Sequence, residues 1–302
     1  MGEACAYYDE QKHICYPLPV HARNVSRAVE TLFRERLSIT PPAARLPGLS
    51  ERLLEAGIIA GALHDIGKAS RLYQERFQRG EAGGFPLHEY LGALILAEAS
   101  RALRLQDMRQ EAAALLLAAG AVARHHAAMK DRHPTILIPK LKAELFSQRQ
   151  EKTRLTTIHS AAAQLDPDEA LRATPLDTVP RWARRPIEEA VKSIRAMSRD
   201  EIATALKTSI PATSLAEKIA GNQHTRPLIP AHDKERARHA VTGHLYRLSG
   251  ALIVADILVA GCERRPGEGP EKAYATSWIK ELLPNQNPQQ ACKTLTQHTN
   301  TP

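Results

Sequence analysis

Asp256 stands in the middle of LSGALIVADILVAG, a run whose other side chains are apolar or small. A helix through this run has to be buried, and an ionised carboxylate on a buried helix is costly unless a strong partner meets it. The chain offers partners in one recurring position, the ends of apolar helices. His64 and Asp65 close one such segment in IIAGALHDIGKAS, and His125 and His126 close another in LLLAAGAVARHH. His88 heads HEYLGALILAEA, and His21 heads the helix that follows YPLP. A single histidine in such a place is usually a satisfied core or capping residue. Seven candidates would need seven separate explanations of that kind, whereas a shared metal centre accounts for them together.

Apolar periodicity supports an all-α class. Val25, Ala28, Val29, Leu32 and Phe33 form an i, i+3, i+4 stripe within Val20–Leu37. Leu49–Ile66 follows, with Ser50 placed as an N-cap and Gly67 as a C-terminal glycine. Further helices are expected over Pro86–Leu103, Gln110–His126, Pro139–Gln148, Leu155–Gln164, Ile187–Met197, Asp200–Thr208 and Ala237–Cys262. Breaks are expected at 38–47, 166–180 and 223–230. Thr135–Ile138 is the one β-branched run. A second His-Asp pair, His232-Asp233, lies in the charged string AHDKERARHA and lacks a flanking apolar helix.

Charge separates the chain into parts. Of the formal +8 over 302 residues, residues 1–126 carry 15 basic and 14 acidic groups, residues 127–247 carry 21 and 14, and residues 248–302 carry five of each. The excess is therefore a property of the middle third. A solvated helical face would explain it, and so would a track for a phosphate backbone, which draws affinity from diffuse positive charge through counterion release. Arg181, Trp182, Arg184 and Arg185, in RWARR, add a base-stacking aromatic to such a track. Four cysteines (Cys5, Cys15, Cys262, Cys292) are too few and scattered for a disulfide framework or a CxxC zinc site, so a reducing compartment is expected. Ala112–Ala123 and Leu248–Ala255 fall short of the ~20 residues needed to span a bilayer, and the N-terminus lacks the order of a signal peptide. The expectation is a cytoplasmic protein with no membrane association.

The order His, His-Asp, His, His-His and a late Asp resembles the HD superfamily of metal-dependent phosphohydrolases. More specifically it is similar to the stand-alone HD nuclease subunit of type I CRISPR interference. The resemblance rests on VHARNV (His21), HDIGK (His64, Asp65, Lys68), LHEYLGA (His88), RHH (His125, His126) and ADIL (Asp256), islands that span residues 21–256. It implies an HD-domain helical bundle with a core over 15–126 plus 237–265, a basic, mostly helical insert over 127–236, and a polar tail over 266–302. It also implies two divalent metal ions. One would be held by His21, His64, Asp65 and Asp256 and the other by Asp65, His88, His125 and His126, with Asp65 bridging and catalytic. Bridged cations ~3.5–4 Å apart suit in-line phosphoryl displacement.

Lys68 would touch the scissile phosphate; it could equally balance the C-terminal end of the preceding helix. Five imidazoles and two carboxylates are softer than the all-oxygen set magnesium prefers, so Mn²⁺, Ni²⁺, Co²⁺ or Fe²⁺ is expected ahead of Mg²⁺. The sequence lacks GxxxxGK[ST]; GALHDIGKAS has the wrong spacing for a phosphate-cradling loop. The expected partners are single-stranded DNA (or RNA), a separate helicase and an RNA-guided surveillance complex. The alternatives are an HD phosphohydrolase of a small nucleotide and a scaffold with a degenerate core.

Overall fold

A computed structural model describes residues 4–9, 14–79, 87–128, 148–221, 227–228, 233–264 and 273–296. The apolar stripe of the first helical segment builds α1 (Leu18–Ser38), which buries Val25, Val29, Leu32 and Phe33. It runs against α2 (Leu53–Leu63), and the approach is close because α2 carries glycine at the contact: a Cβ on Gly61 would lie 2.7 Å from the Ser26 Cα. After the short α3 (Arg71–Gln78), α4 (His88–Leu105) and α5 (Arg109–Val122) pair with each other, and α5 also packs on α2. Almost every side chain of α5 from Ala112 to Val122 is buried, as its uniform Ala/Leu composition requires.

The middle third supplies α6 (Gln148–Ala163), α7 (Pro167–Ala173), α8 (Arg181–Ser193), α9 (Arg199–Ser209) and α10 (Ala212–Ala220). These helices do not stand apart. Ile187, Val191, Ile202, Leu215 and Ile219 join the same hydrophobic core as α1, α2, α4 and α5, with α8 and α9 on α4 and α10 on α11. The 31-residue α11 (Lys234–Arg264) is the central element and touches α1, α2, α5 and α10. By length and composition it could cross a membrane; here it is a core helix that buries Leu245, Leu248, Leu252 and Leu258. The expected class, a helical bundle carrying a basic helical segment, is the observed one.

Several differences are instructive. Residues 5–9 and 14–17 form an antiparallel hairpin, β1 (Cys5–Asp9) and β2 (Ile14–Pro17), that no periodicity announced. Residues 266–302 were expected as a polar tail, but α12 (Ala273–Leu282) and α13 (Pro288–Thr296) fold there, and α13 buries Ala291 and Leu295 against α11 and α1. The cysteines pair as Cys5–Cys15 and Cys262–Cys292, against the expectation of thiols. Scatter in sequence was a poor guide to distance, because the hairpin and the docking of α13 bring the partners' Cα atoms to 5.4 and 5.2 Å.

Ser50 does not cap α2. Its Oγ accepts from Leu46 N and meets His244 Nε2 at 3.2 Å. The helix expected over Pro139–Gln148 and the β-branched run at 135–138 lie outside the described residues, apart from Gln148.

Candidate metal centre

Six residues from four helix ends and one from the interior of a fifth helix converge on a single spot. His21 sits in the first turn of α1, His64 and Asp65 follow the last turn of α2, and His88 is the first residue of α4. His125 and His126 begin a 3-10 turn just past α5, and Asp256 projects from the C-terminal third of α11. Two local features fix His88. Leu87, immediately before it, has φ +65°, a left-handed backbone that an L-residue with a branched side chain adopts only under surrounding constraint. Gly67 lies in the 3-10 turn Ile66–Ala69 against the His88 backbone, where a Cβ would come within 2.2 Å of the carbonyl oxygen. Gly67 is therefore required for close approach, not as the left-handed helix terminator its position suggested.

Asp65 divides the cluster. Its Oδ2 faces His64 Nε2 at 3.4 Å and His21 Nε2 at 3.6 Å, while its Oδ1 faces His88 Nε2 at 2.8 Å and His125 Nε2 at 3.5 Å. Asp256 Oδ1 closes the first side, 3.2 Å from His21 Nε2 and 3.7 Å from His64 Nε2. His126 closes the second, with its Nε2 2.9 Å from that of His88. Lys68 Nζ binds Asp65 Oδ2 at 2.6 Å. Most members are fully buried. Asp256, Lys68 and His126 are the partly exposed ones, so the cluster opens to solvent along that edge.

The imidazoles are oriented from behind. His64 Nδ1 donates to the Gly61 carbonyl (2.9 Å) and His125 Nδ1 to the Val122 carbonyl (2.7 Å), in each case the residue three positions earlier. Both arrangements turn Nε2 inward. His21 is held differently, by Glu263, whose Oε2 is 2.7 Å from Nδ1. Glu263 was not among the expected site residues. It lies seven positions after Asp256, two helical turns along the same face of α11, and that spacing is the signal that could have found it.

Electrostatics distinguish the two sides. Burial works against a charged His21, but Glu263 and Asp256 outweigh it and push its pKa up to about 9. Burial is likewise overcome at His64, where Asp65 and Asp256 push the pKa up to about 10. Against the burial that would raise them, Lys68 and His64 hold Asp65, and His21 and His64 hold Asp256, well below the usual carboxylate range. On the other side burial pulls His125 and His126 down, and neighbouring imidazoles add to the effect.

These residues fit divalent cations. His64 Nε2, His125 Nε2 and His126 Nδ1 are buried with no hydrogen-bond partner, an expensive arrangement for a cluster that holds only protons. Ligand atoms of Asp65, His88, His125 and His126 lie within 4.8 Å of one another, as do those of His21, His64 and Asp65, and those of His64, His125 and Asp256. A family model described as the HD domain of Cas3 matches residues 6–259. This chain belongs to the Cas3 HD-domain family. Neither the curated proteins nor the solved structures provide a match.

The matched segment contains all seven clustered residues and ends four positions before Glu263. As a Cas3 HD-domain protein with a clustered His/Asp centre, the chain is a metal-dependent nuclease that works with nucleic acid and the CRISPR machinery.

The structure does not bring the RWARR group to this centre. Trp182 donates its Nε1–H to Glu55 Oε2 at 3.0 Å and lies under the Arg52 guanidinium, at the far end of α2 from His64. Nine residues of helix separate Glu55 from His64, about 14 Å along the axis. Arg184 is tied to the Val179 and Asp177 carbonyls and Arg185 to Glu189. Trp182 is thus a packing residue here rather than a presented stacking platform. Arg181 and Arg185 are exposed. Asp233 is exposed and caps the α11 backbone through Arg236 N; His232 lies outside the described residues.

Proposed function

We propose that this Cas3 HD-domain protein hydrolyses phosphodiester bonds of single-stranded DNA in CRISPR antiviral defence, in the cytoplasm, alongside a separate helicase and an RNA-guided complex. The observation that carries the reading is Asp65, whose two oxygens face two separate histidine groups. His21, His64, Asp65 and Asp256 would hold one divalent cation, and Asp65, His88, His125 and His126 the other. When bound, such a pair supplies water activation and charge neutralisation for phosphoryl displacement.

The chain's own groups do the rest. Glu263 and the Gly61 and Val122 carbonyls aim three imidazoles before any ligand arrives, which lowers the reorganisation cost. Lys68, on the open edge, places a point charge where a substrate phosphate would enter. The nitrogen-rich donor set favours Mn²⁺, Ni²⁺, Co²⁺ or Fe²⁺ over Mg²⁺. With Trp182 committed to α2, strand binding rests on the basic middle third, with Arg181 and Arg185 among its exposed cations, and is electrostatic and weakly sequence-selective.

The test is cleavage of labelled single-stranded DNA with Mn²⁺ or Ni²⁺, compared with Asp65→Ala and His64→Ala. Cleavage that needs both residues and falls steeply with salt is expected. Activity confined to mononucleotides and indifferent to salt would assign the site to small-nucleotide hydrolysis instead.

A further inference from the structure

Glu263 has a completely buried side chain that is committed to the metal centre without facing into it. Its Oε2 receives His21 Nδ1 at 2.7 Å and the Tyr7 hydroxyl at 3.4 Å, and its Oε1 receives Asn24 Nδ2 at 2.8 Å. Three elements thus meet on one carboxylate: β1 through Tyr7, the first two turns of α1 through His21 and Asn24, and the end of α11. Each attachment is itself secured. Tyr7 stacks on Tyr16 across the hairpin, with ring centroids 4.9 Å apart, and the hairpin is tied by Cys5–Cys15. Cys262, next to Glu263, is tied to α13 through Cys292.

We propose that Glu263 is the positioning residue for His21: it holds the proton on Nδ1, presents Nε2 to the cluster, and fixes the ring's orientation through its second and third hydrogen bonds. A carboxylate behind a ligating histidine raises the basicity of the opposite nitrogen as well as fixing the tautomer. The inference rests on the reading of His21 as a ligand. It makes the His21 side dependent on a residue that touches neither substrate nor cation; on the other side Glu89 Oε2 stands 3.5 Å from His88 Nδ1, a longer approach than the 2.7 Å between Glu263 and His21.

The test is Mn²⁺ binding by calorimetry to the wild-type chain, Glu263→Gln, His21→Ala and the double variant, with folding checked by circular dichroism. Glutamine keeps the shape and an acceptor but removes the charge. Glu263→Gln should weaken one of two Mn²⁺ sites by about 10- to 100-fold and leave the other unchanged. The double variant should bind no more weakly than His21→Ala, because Glu263 acts through His21. Two unchanged sites in Glu263→Gln, or additive losses in the double variant, would overturn the positioning role. A wild-type chain that takes up no Mn²⁺ would instead overturn the reading of His21 beneath it. Should Glu263→Gln not fold, nitrogen NMR of the Zn²⁺-loaded wild type decides: a slowly exchanging proton on His21 Nδ1 is expected, and its absence refutes the proposal.

Discussion

The Nε2 atoms of His88 and His126 lie 2.9 Å apart. Two neutral imidazoles hold that distance only by sharing a proton or converging on a common cation. Burial and the neighbouring His125 and His88 push His126 far below its ordinary pKa, so His126 is neutral and brings a single ring N–H to the contact. His88 Nε2 also faces Asp65 Oδ1 at 2.8 Å, which leaves one ring nitrogen serving two acceptors. A cation resolves the conflict at once. His126→Ala should therefore retain one Mn²⁺ per chain where the wild type retains two, as read by elemental analysis of the purified proteins. Its nuclease rate should fall by more than the ~100-fold that marks the upper end for residues standing behind ligands.

The same histidine can be disturbed without touching its side chain. A methyl group on residue 67 would meet the His88 carbonyl at 2.2 Å, and neither backbone can yield far because both lie in tightly packed turns. Gly67→Ala should cost about 1–3 kcal/mol of folding stability. It should also lose the Mn²⁺ held on the His88 side before the one on the His21 side. Chemical denaturation with a metal count on the same sample measures both; a variant as stable as wild type with both ions bound would refute the argument.

The seven clustered residues were legible because each breaks a rule at a visible place: a polar group at the end, or in the middle, of a segment that had to be buried. Glu263 obeyed appearances. It sits beside Arg264 near the end of α11 and reads as the start of a solvated terminus, although its spacing from Asp256 places it on the inner face. Pro167 lies within a stretch expected as a break, yet it occupies the first position of α7, where its missing N–H costs nothing. The hairpin was invisible because its strands are too short to show alternation. Its stability comes from pairing, from Cys5–Cys15 and from contacts with α1.

The two disulfides close loops of 10 and 30 residues, and each should contribute about 3 kcal/mol by restricting the unfolded chain. In a reducing compartment that stabilisation would be absent. Dithiothreitol should lower the urea midpoint of the purified chain, and Cys262→Ser with Cys292→Ser should reproduce part of the shift. Because Cys262 adjoins Glu263, the double serine variant should also bind Mn²⁺ more weakly than the wild type at the His21 side. An unchanged midpoint on reduction would mean that α13 and the hairpin are held by packing alone.

Protons should leave as cations enter. Without metal, His21 and His64 titrate at about 9 and about 10, so both are protonated at pH 7.5 and stabilise Asp65 and Asp256 across the cluster. Ligation needs the unprotonated nitrogens. Calorimetry at pH 7.5 in two buffers of different ionisation enthalpy should therefore report about two protons released as the sites fill. The stability of the metal-free chain carries the same signature. Both folded pKa values lie above the unfolded histidine value of about 6.5. The contribution of the two residues is thus complete below that pH and is lost as pH rises through 9 to 10. The urea midpoint of the EDTA-treated chain should fall across this window, while Mn²⁺ affinity rises with pH as proton competition is relieved. A flat midpoint combined with proton-neutral binding would show that His21 and His64 are already neutral, and that the carboxylates facing them are balanced by Lys68 instead.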